Sequence, residues 1–145
     1  MAKKTESERQ NRVGLARVLL ADDDPTSRLT LQTVLEAGGY CVDAAASAAE
    51  AVGKLEQKQY ELVLTDLHME APESGLRVLA HARMVDYKPA TALITTYSPL
   101  KKRPLRSSRP VLIEPENVPE LLDKVAVLIS ERAQRRIERT LRQTG

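Results

Sequence analysis

Five short aliphatic runs, spaced along the chain with helix-like stretches between most of them, constrain this sequence more than any other feature. They are Arg17–Ala21 (RVLLA), Tyr40–Ala45 (YCVDAA), Leu62–Thr65 (LVLT), Ala90–Thr95 (ATALIT) and Pro110–Ile113 (PVLI). A continuous apolar run of four to six residues suits a strand covered on both faces, as in a parallel sheet. The intervening segments carry helix signals. Asp24-Pro25 reads as an N-cap followed by proline at the first helical position, and Gly38-Gly39 as the stop, with Leu29, Val34 and Leu35 along the helix. Ser47 caps a second helix to about Gln57, with Ala48, Ala51, Val52 and Leu55 on one face. A third covers Gly75–Val85, with Leu76, Leu79 and Ala80 inward, and a last one starts at Val118. Strands alternating with helices specify βαβ units joined by right-handed crossovers.

One crossover breaks the pattern. Residues 96–110 contain Pro99, Pro104 and Pro110. Each proline removes an N–H donor and clashes with the preceding turn, so the expectation is an irregular loop where a fourth helix would stand. The last helix continues in pattern beyond Ile129, because Leu121, Val125, Ile129, Ala133, Ile137 and Leu141 recur every four residues. That stripe exceeds what one small domain needs to cover. A frayed tail is the expectation, with a homodimer contact through the last helix or a truncated linker as the alternatives. The organisation expected is a basic lead-in at 1–16, a domain at 17–130 and a basic helical extension at 131–145.

Composition narrows the chemistry. At 145 residues the chain is long enough for one well-buried core. That core must be aliphatic, since Phe and Trp are absent and Tyr occurs four times. The lone Cys41 excludes an intrachain disulfide and a Cys-cluster zinc site, and two histidines argue against a His-rich metal site. No apolar run is long enough to span a membrane, and the polar start MAKKTESERQNR lacks the apolar segment of a secretory signal, so the cytoplasm is expected. Charge is segregated. Residues 1–20, 101–110 and 131–145 together carry +11 against a net charge of +2, which leaves −9 on the rest. Basic appendages on an acidic body can meet phosphate, nucleic acid or an acidic surface. With no interleaved aromatics, a nucleic-acid role is disfavoured against a solvated face.

The acidic residues are placed to do chemistry. In an open parallel sheet, ligands bind beyond the C-terminal ends of the strands. Asp22 and Asp23 follow the first strand, Asp66 follows the third, and Thr95 closes the fourth. Carboxylates converging there repel one another unless a cation lies between them. An oxygen-only ligand set with open positions suits Mg²⁺. A carboxylate beside such an ion can act as nucleophile toward a phosphoryl group, and a neighbouring hydroxyl can hydrogen-bond a phosphoryl oxygen.

In order and spacing over residues 17–130, VLLADDDP, LVLTDLHM, ALITTYS and VLIEP resemble the receiver domain of bacterial two-component response regulators. The resemblance implies a flavodoxin-like, doubly wound α/β fold with a five-stranded parallel sheet of order 2-1-3-4-5. It implies that Asp66 is the aspartate phosphorylated by a histidine kinase or phosphotransfer protein. Asp22 and Asp23 match the acidic pair that holds Mg²⁺, His68 matches the position whose backbone carbonyl also binds the metal, and Thr95 matches the switch hydroxyl. The implied role is signalling by phosphoryl acceptance, not enzymatic turnover, with a downstream protein reached by docking.

Four departures from the family pattern stand beside these matches. Glu114 precedes Pro115 where the family has lysine, so the charge is reversed next to the expected phosphoryl group. Val111 stands where an aromatic is usual. Met69 is followed by Glu70, with Pro72 displaced, and Gly75 lies nine residues after Asp66 instead of eight. The helix between the fourth and fifth strands is expected to be missing. These departures raise a second reading: a pseudo-receiver acting as a phosphorylation-independent interaction module, with a nucleic-acid contact through its basic segments as one variant.

Overall fold

The computed structural model describes residues 16–67, 69, 71, 73–94, 111–113 and 118–144. Strands β1 (Arg17–Ala21), β2 (Cys41–Ala45), β3 (Leu62–Asp66), β4 (Ala90–Ile94) and β5 (Val111–Ile113) form one parallel sheet of order β2-β1-β3-β4-β5. The described helices are α1 (Pro25–Ala37), α2 (Ala48–Gln57), α3 (Ser74–Met84) and α4 (Val118–Thr144). The expected strand order and the continuous apolar strands are both present. The expectation for residues 96–110, between β4 and β5, lies outside the described residues.

The sheet is covered on both faces, and the period-2 alternation of strand side chains decides which residue serves which face. Val18, Leu20, Leu62, Leu64, Ala92 and Ile94 pack with Leu31 and Leu35 of α1 and Leu121 and Val125 of α4. Leu19, Ala21 and Val63 point the other way, against Ala48, Ala51 and Leu55 of α2 and Val78 and Ala82 of α3. Every residue of β1 from Val18 to Ala21 is therefore fully buried. That explains why the strand reads as an unbroken apolar run.

Local signals set the helix ends. The Asp24 carboxylate accepts from the Ser27 amide at 2.9 Å and Pro25 occupies the first turn of α1. The chain leaves α1 through Gly39, whose φ of 99° favours glycine. Ser47 Oγ accepts from the Glu50 amide at 3.1 Å, and the Glu50 carboxylate accepts from the Ala46 amide at 3.1 Å, so these two amides at the start of α2 are satisfied.

The structure selects the buried face of α1 and corrects that of α3. Of the apolar residues along α1, Leu29 is 65% exposed, and Leu31 and Leu35 make the contact with the sheet. Ala80 of α3 is exposed, while Val78, Leu79 and Ala82 are buried. In both helices several apolar phases fit the sequence, and only the approach of the helix to the sheet selects one. The last helix, α4, runs unbroken for 27 residues to Thr144, through the stretch where a helical extension is expected. Its contact with the sheet runs through Leu121 and Val125, and Arg132 is buried further along. Ile137 and Leu141 stand 60% and 64% exposed. None of the described helices is long and apolar enough to cross a membrane.

Tyr60 is the largest fully buried side chain and partly fills the place an absent Phe or Trp would take. Its hydroxyl donates to Asp43 at 2.8 Å. Burial, together with the Asp43 carboxylate, pushes the Tyr60 phenol above the ordinary tyrosine range. The folded state therefore holds this proton more tightly than the unfolded chain does. The associated stability is complete below about pH 10, the unfolded phenol pKa, and is lost as pH rises toward the folded value. Tyr60→Phe is expected to cost about 1 kcal/mol at neutral pH and to flatten the alkaline decline. Urea melts of both proteins from pH 7 to 11 check this, and identical alkaline slopes would exclude Tyr60 as the source.

Candidate functional site

The ends of β1 and β3 bring the acidic residues together. In the sheet register Ala21 lies opposite Thr65, and Asp66 lies opposite Ile94. The residues that follow β1 therefore emerge beside the end of β3. One carboxylate oxygen from each of Asp22, Asp23 and Asp66 lies within 4.8 Å of the other two. Asp22 is buried at 3% exposure, Asp66 is half-buried and Asp23 is exposed. The cluster thus has a floor in the protein and a mouth toward solvent. At such separations, ionised carboxylates in a partly solvated site repel by about 1 kcal/mol or more per pair. A hard divalent cation with open coordination positions would relieve that repulsion.

Backbone contacts hold the floor rigid. The Asp22 amide donates to the Ala45 carbonyl at 3.0 Å, which ties the end of β1 to β2. The Asp22 carboxylate accepts from the Asp24 amide at 3.0 Å, and the Asp22 carbonyl accepts from Arg28 Nη1 at 2.8 Å. Asp24, the third aspartate of the run, serves as the α1 cap and stands outside the cluster.

Gly75 braces the β3 side. Its amide donates to the Leu67 carbonyl at 2.9 Å. A Cβ built on Gly75 would lie 2.1 Å from the Asp66 carbonyl oxygen and 2.8 Å from Leu67 Cα. Only glycine lets the start of α3 approach the Asp66 backbone this closely. The loop ahead of it bends through Glu73, at a φ of 65°. Ser74, buried at 1% exposure, closes the turn by donating to the Ala71 carbonyl at 2.8 Å. In the sequence Gly75 stands as a helix start and a spacing departure, and nothing there singles out Arg28. A glycine at the first turn of a helix, straight after a loop, was the available signal for close approach.

The structure brings together Asp22, Asp23 and Asp66 as expected. Thr95, His68 and Glu114 lie outside the described residues. Thr95 is the residue after Ile94, which pairs with Asp66 in the register.

Residues 18–104 match the family model described as the response regulator receiver domain. The sensory/regulatory protein RpfC of Xanthomonas campestris is 31% identical over 124 residues, covering 81% of this chain. The chain spans 17% of that relative's length. A CheY-like receiver domain protein from Methanospirillum hungatei has a solved structure with a TM-score of 0.71 at 26% identity, covering 83% of this chain and 98% of its own. The response regulator TrrA of Thermotoga maritima, solved in complex with Mg²⁺-BeF, gives 0.68 at 29% identity, covering 79% and 99%. TrrA has also been solved in complex with the histidine kinase ThkA. The family match runs through β1 to β4 and the acidic cluster at their ends, and the same sheet recurs in solved receivers, so this chain belongs to the response regulator receiver domain family.

Proposed function

We propose that this chain is a phosphoryl-accepting receiver in a two-component relay, with Asp66 as the acceptor. The observation that carries this reading is the convergence of Asp22, Asp23 and Asp66 within 4.8 Å at the ends of β1 and β3. Three carboxylates, one buried, one half-buried and one exposed, fit an oxygen-ligated divalent cation. Asp22, Asp23, Asp66 and the His68 carbonyl would hold Mg²⁺, and TrrA, a relative of the same fold, has been solved with Mg²⁺-BeF. When bound, the ion offsets negative charge on a phosphoryl group and on the acid cluster. An Asp66 carboxylate oxygen attacks the phosphorus of a phosphohistidine on a histidine kinase or phosphotransfer protein. The new O–P bond forms as the N–P bond breaks, and the imidazole nitrogen keeps the electron pair. The Asp22 contacts to Ala45, Asp24 and Arg28 keep the pocket floor in place during transfer. Thr95, one residue past the Asp66 partner in β4, supplies a hydroxyl to a phosphoryl oxygen. The ThkA–TrrA complex supports a kinase as partner.

Glu114 favours a second reading. A carboxylate where a cation would pair with the phosphoryl group fits a pseudo-receiver that binds partners irrespective of phosphorylation.

Intact-protein mass spectrometry after incubation with acetyl phosphate and Mg²⁺ tests the first reading. One phosphoryl adduct is expected on the wild type and none on Asp66→Ala. A parallel Mg²⁺ titration followed by amide NMR should shift Asp22, Asp23 and Asp66. An adduct that survives in Asp66→Ala would remove Asp66 from the role. No adduct, and no shift at millimolar Mg²⁺, would favour the pseudo-receiver.

A further inference from the structure

At the opposite end of the sheet from the acid cluster, α4 and the turn before β4 flank an open cavity of about 320 Å³. Arg132, Arg135, Arg136 and Arg139 line it from α4, at i, i+3, i+4 and i+7 spacing on one helix face. Tyr87 and Lys88 close the other side, and Asp86 is the one carboxylate in the lining. Five cations thus share one small cavity with a single acid.

Among the described residues, no ion pair neutralises this gathering of charge. Arg132 is buried at 7% exposure and donates through Nε to the Lys88 carbonyl at 3.0 Å and through Nη2 to the Tyr87 carbonyl at 2.7 Å. Arg136 reaches the Tyr87 carbonyl at 3.5 Å. Lys88, held at a φ of 44°, turns its own ammonium to the Arg83 carbonyl. Among the described residues, none of the four guanidiniums forms an ion pair with a carboxylate, and Arg135 and Arg139 have no hydrogen-bond partner. Burial pushes the Arg132 guanidinium below its ordinary range, and Arg136 and Arg135 push in the same direction, outweighing the pull of Glu61 and Tyr87. A solvated arginine face would spread these charges apart. Here the fold anchors one of them in the protein and leaves its neighbours facing a cavity.

We propose that this cavity binds a small anion carrying two or more adjacent phosphates: inorganic pyrophosphate, or the same group in a nucleoside di- or triphosphate. Seven residues of helix separate Arg132 from Arg139, about 10 Å along the axis, too long a row for one phosphate to engage. Adjacent phosphates match it, because each guanidinium fork can take phosphate oxygens in pairs. The volume falls at the small end of ordinary ligand pockets, which suits a compact anion. Arg135 and Arg139 supply the uncommitted donors, while Arg132 and Arg136 hold α4 to the turn. A bound anion would tie this stretch of α4 to residues 86–88. The site is independent of Asp66 and of any cation beside it.

Calorimetric titration of the full chain, with EDTA present to keep divalent cations off the acid cluster, tests the proposal. The probes are orthophosphate, pyrophosphate, ADP and adenosine. Pyrophosphate is expected to bind at least about tenfold tighter than orthophosphate, and adenosine not at all. ADP tighter than pyrophosphate identifies a nucleotide as the source, and equal affinity identifies the phosphate pair alone. Arg135→Gln and Arg139→Gln should each weaken binding by about tenfold or more, with Tm unchanged, while Lys54→Gln, on α2, leaves it intact. Amide shifts at Tyr87 and Lys88 should accompany binding and vanish in the double variant. The proposal is overturned by no saturable binding of either pyrophosphate or ADP, or by binding that survives the double variant. It is equally overturned by single-stranded oligonucleotides that bind more tightly than ADP with affinity rising with length, which would make the arginine row a nucleic-acid face.

Discussion

Gly75→Ala is expected to destabilise the protein by about 3 kcal/mol and to lower Tm by roughly 10 °C, although it adds one methyl group. The added Cβ would meet the Asp66 carbonyl oxygen at 2.1 Å and Leu67 Cα at 2.8 Å. These are backbone atoms, so no side-chain rotation relieves the clash, and either α3 or the end of β3 must move. If β3 moves, Asp66 leaves the cluster, and Mg²⁺ affinity should fall together with stability. Gly53→Ala is the matched control. Gly53 lies inside α2 and an added Cβ there meets nothing within 4 Å. Replacing it should stabilise by about 0.5–1 kcal/mol, because alanine loses less backbone entropy in a helix. Thermal melts of the two variants should therefore move in opposite directions. A Gly75→Ala protein as stable as wild type would show that the start of α3 yields easily and does not brace the site.

Glu114→Lys is expected to raise phosphoryl occupancy at Asp66, or affinity for beryllium fluoride as a phosphoryl mimic, by about tenfold or more. A phosphoryl group on Asp66 carries nearly two negative charges and needs cationic partners. Asp22 and Asp23 beside it are negative as well, so a cation held there would be shared among three carboxylates. A further carboxylate directed at the phosphoryl group would add repulsion of about 1 kcal/mol or more, and lysine would replace it with attraction of similar size. Glu114 lies outside the described residues, so the expectation rests on its place directly after β5 (Val111–Ile113) and on the reversed charge. Mass spectrometry after acetyl phosphate treatment of wild type, Glu114→Lys and Glu114→Gln measures the effect. The glutamine variant separates removal of repulsion from gain of attraction. Ready phosphorylation of the wild type with no change in either variant would make this an ordinary phosphoacceptor and end the case for a weakened switch.

The strands and the acid cluster were legible in the sequence for a physical reason. A strand buried on both faces must be apolar at nearly every position, so RVLLA and LVLTD announce themselves locally. A carboxylate directly after such a run must emerge at the ligand-binding edge of a parallel sheet, which placed Asp22, Asp23 and Asp66 together before any coordinate was known. Helix caps were legible for the same reason, since Asp24 and Ser47 act on amides three residues away.

What required tertiary structure is what depends on distant partners. The α1 face turns on the approach of the sheet, which buries Leu31 and leaves Leu29 in solvent. The need for glycine at position 75 arises from the Asp66 and Leu67 backbone across the fold, and composition carries no trace of that distance. The arginines of α4 read as a basic tail in one dimension. They become a cavity only because carbonyls of Tyr87 and Lys88, more than forty residues away, seat Arg132 against the body. A sequence reports the spacing of charges along one helix, and a long-range hydrogen bond decides whether those charges flank a cavity.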